Sequence, residues 1–288
     1  MTESIKTGGQ GSSRYWVDGL YPVNVVEIKG QVFSYRKGGL PRNQKPVMVL
    51  LHGIGSGSGS WAHTLAHFED EYYVIAWDAP GYNLSTNLSP RNPGALGYAR
   101  ALDKFLNALG ISPSIVVGHS LGALVAGAYV ANVNPALPIL VLADPANGYG
   151  NMSPEVQSEK LAARLRMVRE LGSDGMAEKR SAHLLSSSPG QEAMELVKWN
   201  MKKVTPRGYE QASRTLVGGH LMQNASQFHG AVLVLCGSED QVTPVEACQD
   251  VSEAFTGARF EVLPGLGHAS YVEGPVLFNE AIESFLGV

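Results

Sequence analysis

Two cysteines in 288 residues, Cys236 and Cys248, are too few for a disulfide framework. One ends an apolar run and the other falls in a predicted helix, settings that suit buried thiols ahead of a disulfide or a metal site. Long hydrophobic runs are missing too. No stretch approaches the roughly 20 apolar residues that span a bilayer, and residues 1–14 are polar and Gly/Ser-rich, without the apolar segment of a secretory signal. The chain therefore reads as soluble and cytoplasmic, with no membrane partner. Excess positive charge is also absent. With 22 Lys and Arg against 26 Asp and Glu, a formal net charge of −4, there is no basic stripe or aromatic platform to hold nucleic acid. A small-molecule partner is what remains, with homo-oligomer assembly left open. No motif asks for a cofactor or a metal.

What is present is a globular composition, 44% hydrophobic and 17% charged, enough for the core of one large α/β domain. Apolar segments at 25–28 and 31–35 flank Lys29-Gly30, the signature of a two-residue hairpin. From Pro46 onward, short continuous apolar runs at 47–51, 73–77, 114–117, 139–143, 232–236 and 259–263 alternate with stretches of helical periodicity at 60–68, 94–109, 121–132, 244–255 and 275–286. Runs of this kind fit strands covered on both faces, so the expected fold is α/β, with a mostly parallel central sheet flanked by helices.

The alternation breaks once. Residues 150–226 read as consecutive helices, at 154–171, 175–185, 191–201 and 207–222, with turn signals at Gly172-Ser173-Asp174 and Ser188-Pro189-Gly190. The expected organisation is a core in two parts, 1–149 and 227–288, interrupted by a helical cap over the carboxyl ends of the strands, where open α/β sheets bind ligands. The insertion holds eleven Lys or Arg against eight Asp or Glu, and six of the eight methionines. The basic excess either steers an anionic substrate or belongs to solvated helix faces, and the methionines either line an adaptable pocket or pack against the core.

Chemistry concentrates at Gly118-His119-Ser120-Leu121-Gly122, where a serine between two glycines joins a β-branched run to a strong helix former. At such an elbow a strained turn lifts the serine hydroxyl off the strand end, and the Leu121 N–H, at a helix start, faces the place where a carbonyl oxygen would gather charge. A serine nucleophile needs a general base, and the base needs an acid to hold its tautomer. Of eight histidines, His268 lies in a Gly-rich loop directly after the last apolar run. His119 adjoins Ser120 but should point the other way, and His63, His67, His183, His220 and His229 lie on or beside helices. For the acid, Asp240 follows the 232–236 run, with Glu239 and Asp144 as rivals on the same edge; the Ser, Asp, His chain order favours Asp240. The loop His52-Gly53-Ile54-Gly55 supplies the second oxyanion donor, Ile54, and His52 is expected to be hydrogen-bonded within the loop it shapes.

These four separated places, and the turn Asp78-Ala79-Pro80-Gly81-Tyr82-Asn83 as a fifth, make the chain resemble the α/β-hydrolase family. Asn83 stands where relatives often have glycine, and asparagine tolerates the left-handed turn. The resemblance implies a serine hydrolase with Ser120, Asp240 and His268 catalytic and Ile54 and Leu121 forming the oxyanion hole. The segments at 167–177 and 205–209 resemble the cap of 3-oxoadipate enol-lactonase-like members, which implies an ester or lactone substrate. Two alternatives stay open. C–C bond hydrolases of ring-fission products share the fold, but commonly carry asparagine and methionine where this chain has His119 and Leu121. A slow-turnover ligand-sensing protein of the same fold is the other.

Overall fold

A computed structural model describes residues 14–40 and 45–287; the loose arm expected over residues 1–14 lies outside these except for its last residue. In chain order the elements are α1 (Arg14–Leu20), β1 (Asn24–Ile28), β2 (Gln31–Gly38), β3 (Val47–Leu51), α2 (Ala62–Phe68), β4 (Tyr73–Trp77), α3 (Gly94–Leu109), β5 (Ile115–His119), α4 (Leu121–Asn132) and β6 (Ile139–Ala143). There follow α5 (Pro154–Arg180), α6 (Gln191–Met201), α7 (Pro206–Gly218), β7 (Ala231–Gly237), α8 (Val245–Ala254), β8 (Arg259–Leu263), α9 (Ser270–Glu273) and α10 (Pro275–Leu286). No helix among the described residues is long and apolar enough to cross a membrane.

One eight-stranded sheet runs in the order β1-β2-β4-β3-β5-β6-β7-β8. The first two strands pair antiparallel through a turn in which Lys29 and Gly30 both take positive φ, and β2 pairs antiparallel with β4. From β4 to β8 every pairing is parallel. The central strands are apolar without interruption because both faces are covered. Met48, Leu50, Val74 and Val117 pack against Trp61, Leu65 and Phe278, while Val49, Leu51, Ile75 and Val116 pack against Leu102, Phe105 and Leu124. β8 differs: it is the sheet edge, and only Leu263 in it is fully buried.

The chain leaves β3 toward β4 on one side and returns to β5 on the other, so β3 and β5 are neighbours at a topological switch point, with Leu51 opposite Gly118. Ligands of open α/β sheets bind outside the carboxyl ends of strands at such a point.

Several local expectations change. The α1 helix was not signalled, and α9 is a single extra turn after the His268 loop. The helix expected from 60 opens with a 3-10 turn, Ser58–Trp61. The two helices expected on either side of Gly172-Ser173-Asp174 are the two halves of α5, which meet directly at a non-helical break at Gly172, where φ is 59° and ψ −174°. The last insertion helix stops at Gly218 because Gly219 is extended, and the chain continues in a 3-10 stretch, Met222–Gln227.

Candidate active site

Ser120 sits between β5 and α4 with φ 52° and ψ −114°, a strained state for a non-glycine residue that costs on the order of 1–3 kcal/mol. Its neighbours enforce it. The Ser120 N–H donates to the Ala143 carbonyl at 3.0 Å, and the Ser120 carbonyl accepts from the N–H of Ala123 at 3.0 Å. A Cβ on Gly122 would overlap the Leu51 carbonyl, and one on Gly118 would overlap Gly122, so larger residues there would force the elbow open.

The loop after β8 brings His268 over this turn. Its Nε2 lies 3.0 Å from Ser120 Oγ and its Nδ1 lies 2.8 Å from Asp240 Oδ2. Asp240 follows β7, and all four of its acceptor directions are used. Oδ1 accepts from the N–H groups of Val242 at 2.7 Å and Thr243 at 3.0 Å; Oδ2 accepts from Thr243 Oγ1 at 2.7 Å and from His268. With the carboxylate acceptor-only, the His268 proton sits on Nδ1 and Nε2 is left to accept from the serine hydroxyl.

Burial works to lower the pKa of His268, but the carboxylates of Asp240 and then Asp144 outweigh it and hold the imidazole above its ordinary value. Asp240 is the reciprocal case: burial raises it, His268 and the donors from Thr243 outweigh that, and it stays below the usual carboxylate range.

The rival carboxylates are occupied elsewhere. Glu239 is half-buried and accepts from the Ser187 N–H at 2.9 Å. Asp144 is fully buried; Oδ1 accepts from the Gly237 N–H at 2.8 Å and Oδ2 from the Ser270 hydroxyl at 2.6 Å. Burial, and then the charge of Asp240, push Asp144 up to about 7. Asp144, Cys236 and Asp240 also form a group with ligand atoms within 4.8 Å of one another, the arrangement in which a metal ion would be held. The carboxylate oxygens of that group are already taken by the hydrogen bonds above, and the thiol of Cys236 points to backbone carbonyls. Both cysteines are free and buried.

His119 does not face the serine hydroxyl. Its ring packs 4.9 Å from that of His268 and 4.7 Å from that of Tyr271, and its Nε2–H donates to the His268 carbonyl at 2.8 Å. Burial and the neighbouring His268 depress its pKa to about 3, so it is a neutral brace beneath the His268 loop. His52 closes its own loop, with Nδ1 donating to the Gly53 carbonyl at 2.8 Å and Nε2 accepting from the Ala79 N–H at 3.0 Å. The loop lies against the elbow: a Cβ on Gly53 would stand 3.2 Å from Ser120 Cβ. Tyr82 supports it from the β4 turn, donating to the Ile54 carbonyl at 2.8 Å, and Asn83 takes the left-handed conformation there at φ 47°. The two helical histidines His63 and His67 pair with Glu192 and Glu283.

Thr243 and Tyr82 were not singled out from sequence. Thr243 had a legible signal, since Asp240-Gln241-Val242-Thr243 before a proline-led helix is the pattern of an aspartate capping the next turn.

Ser120 and His268 open onto a cavity of about 470 Å³. Loops after β3, β6 and β7 form one wall, and α5, α6 and α7 form the other through residues including Met176, Met201, Tyr209 and Leu216. Four insertion methionines, Met152, Met176, Met201 and Met222, line this space.

A family model described as the alpha/beta hydrolase fold matches residues 46–275. The chain is 25% identical to 3-oxoadipate enol-lactonase 2 of Acinetobacter baylyi over 248 residues, 84% of this chain and 89% of that protein. Among solved structures it is similar to a thermophilic esterase from Thermogutta terrifontis with malate bound, with a TM-score of 0.80 and 22% identity over 92% of this chain and 97% of the other. It is also similar to the enol-lactonase from Burkholderia xenovorans LB400, with a TM-score of 0.81 and 20% identity over 92% of this chain and 100% of the other.

Proposed function

The chain belongs to the α/β-hydrolase fold family and is a hydrolase, and from that premise we propose that it cleaves carboxylic esters or lactones of small organic molecules through a serine acyl-enzyme. The observation that carries this reading is the continuous hydrogen-bond relay from Ser120 Oγ through His268 to Asp240, at 3.0 and 2.8 Å. The enol-lactonase and esterase relatives support the substrate class.

Ser120 Oγ attacks the acyl carbon as its proton passes to His268 Nε2. Asp240 holds the Nδ1–H tautomer and stabilises the imidazolium. The carbonyl oxygen becomes an oxyanion that accepts from the backbone N–H groups of Ile54 and Leu121; the latter begins α4, where N–H groups have no intrahelical acceptor. The tetrahedral adduct collapses, the alkoxide leaves, and the proton on Nε2 goes to it. Water then attacks the acyl-enzyme, giving its proton to Nε2, and collapse returns that proton to Ser120 with release of the acid. For a lactone the leaving alcohol remains tethered to the acyl group, so one hydroxy acid is the product. Residues 150–226 act as the cap over this site, and the described residues of 1–149 and 227–288 as the core beneath it.

The test is covalent labelling by a fluorophosphonate together with turnover of 4-nitrophenyl esters. Labelling should map to Ser120, and Ser120→Ala should lose both label and turnover with an unchanged circular dichroism spectrum. Labelling without ester or lactone turnover would instead favour a ligand-sensing protein.

A further inference from the structure

We propose that Arg164 and Arg180 form an anion subsite inside the catalytic cavity and that the substrate is an ester or lactone whose far end carries a carboxylate, a proposal that rests on the hydrolase reading above. Both side chains line the same cavity as Ser120 and His268, and both are half-buried. Among the described residues neither guanidinium makes a hydrogen bond or an ion pair. Three other cations on these helices are neutralised, Lys198 and Lys202 by Glu178, and Arg214 by Glu210, which also pairs with Arg91 from the core; Arg166, Arg169, Lys179 and Arg207 carry no ion pair among the described residues but lie outside this cavity. The net basic excess of the insertion therefore matters less than these two groups. The cavity has one carboxylate in its wall, Asp250, which is exposed and pairs with neither arginine.

The course of α5 shows how two such residues come to share one cavity. Positions 164 and 180 are sixteen residues apart; in a straight helix they would be about 24 Å apart along the axis and roughly 160° apart around it. A straight α5 would send one of them away from the site. The break at Gly172, with φ 59° and ψ −174°, redirects the second half so that each half contributes one guanidinium. That backbone state is open almost only to glycine and is destabilising. A Cβ there would meet nothing within 4 Å, so glycine is required by the backbone state and by no close neighbour.

Arg180 is near enough to His268 to oppose its protonation, while the field of Arg164 reaches Tyr82, which holds the Ile54 carbonyl. Planar guanidinium forks match a planar carboxylate, and the apolar lining from Met176, Met201, Met222 and Leu216 suits the hydrocarbon between the carboxylate and the scissile bond. A bound carboxylate would fill the vacant acceptor role at both guanidiniums.

The experiment compares kcat/KM for three matched 4-nitrophenyl esters: pentanoate, hydrogen glutarate and glutaramate, which end in methyl, carboxylate and neutral amide. The glutarate ester should be preferred over the other two by about ten-fold or more, the scale of one charged hydrogen bond. Arg164→Gln and Arg180→Gln should each collapse the glutarate-to-glutaramate ratio toward one, and Arg→Lys at either position should restore part of it. Arg169→Gln, on the exposed face of α5 outside the cavity, should leave the ratio as in the parent protein. A parallel binding measurement by calorimetry uses glutarate and glutaramide; glutarate should bind about ten-fold tighter, and the difference should vanish in Arg164→Gln. Turnover of all three esters at equal efficiency, with no calorimetric preference, overturns the subsite and leaves the hydrolase reading standing. Failure of fluorophosphonate labelling and of all ester turnover sinks the hydrolase reading, while the calorimetric arm still decides whether the arginines bind a carboxylate. Stronger activity on the corresponding phosphonate-terminated ester would overturn the carboxylate assignment.

Discussion

Replacing Asp240 by asparagine changes one atom type and almost no volume, yet the geometry predicts a large kinetic effect. Asparagine Oδ1 can keep accepting the N–H groups of Val242 and Thr243, now at 2.7 and 3.0 Å. Its Nδ2 then stands where Oδ2 accepts from His268 Nδ1 at 2.8 Å. An amide NH₂ donates only, so His268 must present a lone pair at Nδ1 and carry its proton on Nε2. The ring then donates toward Ser120 Oγ, 3.0 Å away, and cannot take its proton. The amide also leaves the imidazolium without a counter-charge in a buried site. A loss of about 10⁴ in kcat is expected, the scale seen when a triad acid is converted to its amide and the tautomer is wrong. The assay is kcat/KM on a 4-nitrophenyl ester across pH, with circular dichroism to show that the fold persists. Asp144→Asn in the same assay should lose far less, since its oxygens accept from Gly237 and Ser270 and touch neither nitrogen of His268. A larger loss for Asp144→Asn than for Asp240→Asn would refute the assignment of Asp240.

The acid limb of kcat/KM should lie above pH 6.5, because His268 must be neutral to accept a proton and its pKa is raised from 6.5, so activity falls as pH drops through that raised value. Asp144→Asn removes one of the carboxylates that raise it and should move the limb to lower pH; an unmoved limb would contradict the electrostatic account. Thr243→Val removes the 2.7 Å bond to Asp240 Oδ2 and should lower kcat about ten-fold, with Thr243→Ser restoring most of it; equal activity of the valine and serine variants would deny the hydroxyl a positioning role. Gly172→Ala adds a methyl in open space but at φ 59° and ψ −174°, so it should cost about 1–3 kcal/mol by conformational strain alone, read as a fall in thermal midpoint of several degrees; an unchanged midpoint would show that α5 is not held in that state.

Much of the architecture was legible because it follows from local rules. Strands buried on both faces have to be short and apolar without interruption, and five of the six expected after Pro46 are central strands; the sixth, β8, reads the same way although it is an edge, since Phe260, Val262 and Leu263 are apolar there too. The elbow is equally local: a serine forced to positive φ between a strand and a helix needs glycine two residues before and after it, and sequence shows both. A histidine or carboxylate soon after a strand must lie at the carboxyl edge of a parallel sheet, which reduced eight histidines and many acids to a few. Chain order favoured Asp240 among the acids, but Asp144 and Glu239 satisfy the same edge rule, and what separates the three is which donors the fold places around each. The packing of the His119 ring against His268 and Tyr271, the bracing of the Ile54 loop by Tyr82, and the sharing of one cavity by Arg164 and Arg180 on either side of a kink depend likewise on contacts between residues far apart in the chain. Sequence periodicity carries the phase of a helix along its own axis; it holds no information about where a break will send the second half, which is set by what that half packs against.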